Sequence, residues 1–352
     1  MTDVAGDLTP RGGHATRARA ATAVNPGATG QATAWSVAPG PRGRGASSSE
    51  WRKRLEIAFF VAPALLLFAI FVVVPVVQAA RFSVFRWNGL GPMENFVGFQ
   101  NYVMALSDQI FQRSVTNNLT IAALSIAIQL PIGLLVALLL NRKFPGQTAM
   151  RVIVFVPYVL AEVVAGVIWK LLLQPQGGVN AFLEAIGLDS FAKAWVGDPS
   201  VALWTVMGVL TWKYLGLAIV LLLAGLQGVP EELHEAASID GASWWQSQRK
   251  ITIPLLGPTI RTWAFLSMIG SLQLFDMVWI LTKGGPDNAT TTMATYLIRQ
   301  GTERSQYGYA SAVAIILFVI SFILAGLFQA FVLNRDAGDD KPKQKRRKKV
   351  SR

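Results

Sequence analysis

Six stretches of this chain are long and apolar enough to cross a lipid bilayer, and that property removes most folds from consideration. A hydrocarbon core about 30 Å thick takes about 20 mostly apolar residues as a helix. The windows lie at roughly 55–80, 115–140, 149–173, 201–226, 259–282 and 310–334. No water in the core can satisfy backbone N–H and C=O groups, so spans of this length predict helices with internal hydrogen bonds. The fold class expected is an all-α membrane protein with six transmembrane helices. Composition agrees, with 52% of residues apolar and 15% charged. Pro63, Pro75, Pro131 and Pro157 fall inside or near the ends of these windows, where neighbouring helices re-satisfy the freed carbonyls. Trp169 and Trp279 sit near the ends of windows three and five, at the depth where indole rings favour the interface.

Residues 1–50 are rich in Ala, Gly, Thr, Ser and Arg, a composition that buries too little surface to offset ordering entropy and reads as a disordered cytoplasmic tail. The membrane-spanning domain is expected over 51–335 and a basic cytoplasmic tail over 336–352. The first apolar run starts too far in for a cleaved signal peptide. Of the Lys and Arg residues outside the windows' interiors, 23 fall in the two tails and the connections 141–151 and 227–261, and eight on the opposite side. Basic residues favour the cytoplasm, so both termini and the 227–261 connection are expected there, in a multi-pass protein of the cytoplasmic membrane. The net charge of +12 sits largely in the tails, which argues for membrane orientation and lipid contact rather than nucleic acid. The chain has no cysteine, so it has no disulfide framework and no thiol chemistry.

Between windows four and five lies HEAASIDGASWWQSQRKITIP, His234 to Pro254. Pro230 suits the first helical position, with Glu231 and Glu232 favourable in the first turn. Leu233, Ala236, Ala237 and Asp240 continue at helical spacing, and Gly241 can end the helix in the left-handed conformation. Ser243 with Gln246 three residues on forms a capping box for a second helix, which Pro254 is expected to limit. The result is two short helices joined at a glycine, with a small-residue surface at Ala236 and Ala237 suited to close docking. From the local pattern alone an interfacial amphipathic linker fits equally well. For His234 a solvated or partner-facing position is expected.

The spacing Glu235-Ala236-Ala237, three residues, Gly241, nine residues, Ile251, one residue, Ile253-Pro254 resembles the EAA loop of the membrane subunits of ATP-binding-cassette importers. Ile253 stands where the family usually has Leu, and Gln248 where it usually has an aromatic residue. The resemblance covers roughly 55–335 and is nearest to carbohydrate-type permeases similar to the larger maltose-type subunit. WKYLG at Trp212–Gly216, AGLQGVPEELHEAASIDGA from Ala224 and LTKGGPDNATTT at Leu281–Thr292 also resemble that subunit. The resemblance implies a pathway shared with a second homologous permease, a cytoplasmic ATPase dimer as the energy source, and an extracytoplasmic solute-binding protein delivering a sugar, an oligosaccharide. Within the loop it assigns coupling to the ATPase to Glu235, Ala236, Ala237, Asp240, Gly241, Ile251 and Pro254.

No G-x-x-x-x-G-K-[ST] loop occurs, so ATP binding by this chain is not expected, and neither a cofactor nor enzymatic activity is expected. The two histidines, His14 and His234, exclude a multi-histidine metal site. Asn118-Leu119-Thr120 and Asn288-Ala289-Thr290 match a glycosylation pattern that is common by chance and is discarded. Ionisable residues within spans are costly and mark candidate pathway positions. Glu162 and Lys213 lie at similar depth and are expected either to pair structurally or to serve the pathway. Gln273 and Asp276 in the outer half of window five, and Trp212 beside Lys213, are of the types that meet sugar hydroxyls and ring faces. Other solutes, such as a glycerol phosphodiester, and an ion-gradient-driven transporter remain as alternatives, although no clear internal repeat supports the latter.

Overall fold

The computed structural model of the chain describes residues 46–142 and 144–332. The readings made above for the tails at 1–45 and 336–352, and for Lys143 and His14, lie outside the described residues. The chain divides into a unit ending at Ala62 and a second from Pro63 onward. Apart from one antiparallel bridge, Phe85 to Phe96, the described secondary structure is helical.

Among the described residues, four helices are long and apolar enough to span: α1, Trp51–Phe82; α2, Gln109–Leu140; α5, Ala202–Gln227; and α9, Tyr307–Phe331. The third expected span is instead a pair, α3, Gln147–Val159, and α4, Glu162–Leu172, bent by 94° at Leu160–Ala161. Counting that pair as one span gives five. The fifth expected window is likewise interrupted: α7 covers Gly257–Leu272 and stops, and α8 restarts at Asp276–Leu281. Between α5 and α7 stands the polar segment, whose first helix is α6, Glu231–Ile239.

Proline shapes these helices in a repeated way. Five-residue π-turns at Ala69–Val73, Ser125–Gln129 and Gln248–Thr252 each end two residues before a proline, at Pro75, Pro131 and Pro254. A proline ring crowds the carbonyl four residues back and brings no N–H, and a widened turn ahead of it relieves both demands while the helix continues. Pro254 therefore does not limit its helix as expected; Ile253–Leu255 continues it with Pro254 in the first turn. Pro230 is the N-cap of α6 rather than its first helical residue.

Helix α5 is the central post, with 56% of its apolar window buried against 33% for α2 and 11% for α9. Its first half, Val206, Met207 and Leu210, packs with Met277, Val278 and Leu281 of α8 and Ala165 of α4. Its other half, Ile219, Leu222 and Leu226, packs on Ala137 and Leu138 of α2. Small residues set the closest approaches, as is usual where helices pack in lipid. A Cβ on Gly216 would stand 2.6 Å from the Val154 carbonyl of α3, and one on Gly166 2.9 Å from Ile280 of α8. Thus α5 carries α3, and the two helices that follow the breaks, α4 and α8, rest on one another.

Candidate functional site

The polar loop folds locally as its residues dictate. Helix α6 closes in a Schellman motif: the Gly241 N–H donates to Ser238 O at 3.1 Å and the Ala242 N–H to Ala237 O at 2.9 Å, with Gly241 at φ +77°. The second helix opens with the expected capping box. Gln246 N–H donates to Ser243 Oγ at 3.3 Å, and Ser243 N–H to Gln246 Oε1 at 2.8 Å. Glu235, Ala236 and Asp240 are exposed on α6, and Ala237 is half-buried. Ile251 is half-buried and Pro254 exposed on the second helix. Ile239, absent from the residues singled out above, is 85% exposed, more than any other large apolar side chain among the described residues.

His234 corrects an expectation. It is half-buried and points between the two short helices, with Nδ1 2.7 Å from Ser247 Oγ and Nε2 3.5 Å from Thr252 Oγ1. It therefore does not stand free on the helix surface but ties α6 to the helix that follows. The local pattern showed a polar side chain on α6 but not where the second helix returns.

A second constellation surrounds the two interrupted spans. A break inside the membrane frees backbone carbonyls that lipid cannot satisfy. At the first break the ammonium of Lys213, 2% exposed, donates to Pro157 O at 3.1 Å, to Tyr158 O at 2.9 Å and to Leu160 O, and lies 5.8 Å from the Tyr158 ring. At the second, Asn118 donates from Nδ2 to Ser271 O at 2.6 Å and Leu272 O at 3.3 Å, and accepts the Met293 N–H at 2.8 Å. Thr292 Oγ1 donates to Leu274 O at 2.8 Å. Each break is thus stabilised by side chains remote in sequence. Thr290, Thr291 and Thr292 are fully buried, so the TTT after the Gly-Gly-Pro turn serves as an internal hydrogen-bonding plug. Asn117 was not singled out above, and Asn118 only in the discarded glycosylation pattern; hydrophilic neighbours within an apolar window were the signal.

Each break is also followed at once by an acid, Glu162 as the first residue of α4 and Asp276 as the first of α8. A carboxylate there complements the positive end of a helix, as Lys213 complements the negative end of α3. No ion pair within 4.0 Å joins Glu162 to Lys213 among the described residues; Glu162 Oε1 accepts from the Tyr214 hydroxyl at 2.7 Å, and its Oε2 is buried without a hydrogen bond. The depth match arose because both charges serve the same break. Trp212 packs edge-on against Trp169 at 5.4 Å, whereas Gln273 and Asp276 are exposed at the second break. Beside them, α2, α5 and α7 enclose a cavity of about 130 Å³ lined by Ser125, Gln129, Tyr214, Ser267 and Ser271 among apolar walls.

Interrupted spans around a central post, with a helix–glycine–helix loop beyond its end, define a membrane transport permease. The chain belongs to the family of binding-protein-dependent transport system inner membrane components, whose pattern matches residues 129–335. It is accordingly a membrane-embedded subunit of an ABC importer that works with a solute-binding protein, and not an enzyme. A probable ABC transporter permease of Pyrococcus horikoshii is 36% identical over 270 residues, covering 76% of this chain and 92% of the relative. The diacetylchitobiose uptake system permease protein of Streptomyces coelicolor is 33% identical over 330 residues, covering 89% and 93%. In fold, the chain is similar to one chain of a bacterial ABC transporter involved in import of the acidic polysaccharide alginate, with a TM-score of 0.72 at 24% identity over 82% of this chain and 98% of that one.

Proposed function

We propose that this permease encloses, with a second homologous permease, the pathway of a sugar importer that takes an oligosaccharide from its extracytoplasmic binding protein. A pair of cytoplasmic ATPase subunits drives it by docking on α6, with Glu235, Ala236, Ile239 and Asp240 at the contact, Ala237 setting the close approach, Gly241 fixing the angle, and Ile251 and Pro254 joining the loop to α7. The substrate reading is carried by the S. coelicolor relative, whose named substrate is a disaccharide and whose similarity extends over most of both chains. Gln129, Ser267 and Ser271, with Gln273 and Asp276 at the second break, supply the hydroxyl and amide groups that sugar recognition requires. At about 130 Å³ their cavity is below the roughly 300 Å³ at which ligand sites begin, which fits a closed pathway. Lys213 and Trp212 hold the walls of that pathway instead of meeting the solute.

Uptake of labelled saccharides by a strain lacking this gene tests the substrate. Loss of diacetylchitobiose, trehalose, maltose or lactose uptake, restored by the gene in trans, is the expected result. Unchanged uptake of every saccharide would remove the sugar reading.

The six-span arrangement, with the broken helices counted as spans three and five and both termini cytoplasmic, rests on the distribution of basic residues. Lys193 and Arg249 are both exposed and fall on opposite sides of this arrangement. In a chain without native cysteine, Lys193→Cys is expected to react with an impermeant maleimide added to intact cells, and Arg249→Cys only after the membrane is opened. Reaction of both from outside would overturn the topology.

A further inference from the structure

Behind the coupling loop, where α6 and the second short helix face the ends of α2 and α5, lies a cavity of about 680 Å³. It falls within the roughly 300–1,000 Å³ typical of small-molecule sites. Gln248 lines it. This side chain is 8% exposed and makes no hydrogen bond among the described residues. Its two donors and its oxygen open onto the cavity, where an occupant can bond them. Its neighbours are not available to do so, because Ser247 and Thr252 are turned towards His234.

The remaining lining limits the chemistry of an occupant. Asn141 and Gln227 add two further amides, Trp244 adds an indole wall with the Arg142 guanidinium 4.7 Å from its ring centroid, and Glu231 stands on α6. Arg142 and Glu231 oppose each other in sign, so neither an anion nor a cation gains a net electrostatic advantage. Three amides, each with two donors and an accepting oxygen, next to an aromatic wall match a ligand with many hydroxyl groups and one apolar face.

We propose that this cavity is a cytoplasmic binding site for a neutral sugar, and that its occupancy restrains the coupling loop. The inference rests on the sugar-importer reading and on the cytoplasmic placement of the loop. A ligand here bridges α6 to the ends of α2 and α5, the elements between which α6 must move if ATPase motion is to reach the spans. Sugar accumulated inside the cell therefore slows the importer through the loop.

The test uses the assembled importer in vesicles with the ATPase face outward, and with binding protein and transported sugar sealed in the lumen. The same sugar is then added outside in the millimolar range, with glucose 6-phosphate as the anionic control. ATP hydrolysis by the wild type is expected to fall at least threefold with the neutral sugar and to be unchanged with the phosphate. Gln248→Phe fills the cavity and Gln227→Leu removes an amide on its opposite wall; both are expected to hydrolyse ATP at the wild-type rate without outside sugar and to lose the response to it. Hydrolysis indifferent to outside sugar in the wild type would overturn the site, as would an equal fall in both variants, which would place the sugar in the transport pathway. An equal effect of glucose 6-phosphate would overturn the neutral class. Absence of stimulation by lumenal sugar in the wild type is a separate result, and it would sink the importer reading on which the site depends.

Discussion

Gly241→Val is expected to insert and fold at near wild-type level, yet to lose co-purification with the ATPase subunit and stimulated ATP hydrolysis. The separation follows from the geometry. A Cβ at Gly241 meets nothing within 4 Å, so no atom is displaced. The penalty lies in φ +77°, which costs an L-residue about 1–2 kcal/mol and a β-branched one more. Valine relieves that strain by leaving the left-handed region, which breaks the Schellman bonds from Gly241 and Ala242 and redirects α6. Ile239→Asp tests the same surface without touching the backbone. A side chain 85% exposed contributes little to folding, while truncating a central apolar anchor of an interface costs about 2 kcal/mol or more, roughly thirtyfold in dissociation constant. Ala236→Trp, on the exposed face, should hold the surfaces apart. Co-purification and vesicle hydrolysis with and without binding protein and sugar are the measurements. Full association and full stimulation in all three variants would leave the loop an interfacial linker.

The loop was legible in the sequence because its determinants are local. Gly241, Ser243 and Gln246 lie within six positions of one another, and both the glycine cap and the capping box follow from backbone groups a few residues away. Apolar length was legible for the same reason, since it is a sum over neighbouring residues. The interruptions were not. The first break falls at Leu160–Ala161 and the second at Gln273–Phe275, with no glycine or proline at either point. What makes them tolerable comes from elsewhere: Lys213 lies 53 positions from Leu160, and Asn118 lies 153 from Ser271. A helical window that ends because a distant side chain donates to its carbonyls looks identical in sequence to one that continues. His234 was misplaced for a related reason, as its partners belong to a helix whose return angle only the fold determines.

Lys213→Met is the substitution expected to cost most within the spans. It preserves length and suits an apolar environment, so any loss comes from the bonds and not from packing. Three carbonyls, of Pro157, Tyr158 and Leu160, lose their donor at a 94° bend that no regular helix can restore. Interhelical hydrogen bonds in bilayers average about 0.6 kcal/mol because alternative partners exist, and three such bonds give about 2 kcal/mol. At a fixed break alternatives are few, and the loss moves towards the 1–3 kcal/mol of an orphaned buried group for each carbonyl. Glu162→Gln should be mild by comparison, since a glutamine oxygen still accepts from the Tyr214 hydroxyl. The combination separates two accounts of these charges. If they formed an ion pair, removing both would recover much of the stability lost with one. Because Lys213 serves the end of α3 and Glu162 the start of α4, the double variant should be no more stable than Lys213→Met alone. Thermal unfolding of the four proteins in detergent measures this directly, and recovery in the double variant would establish the ion pair against the carbonyl clamp.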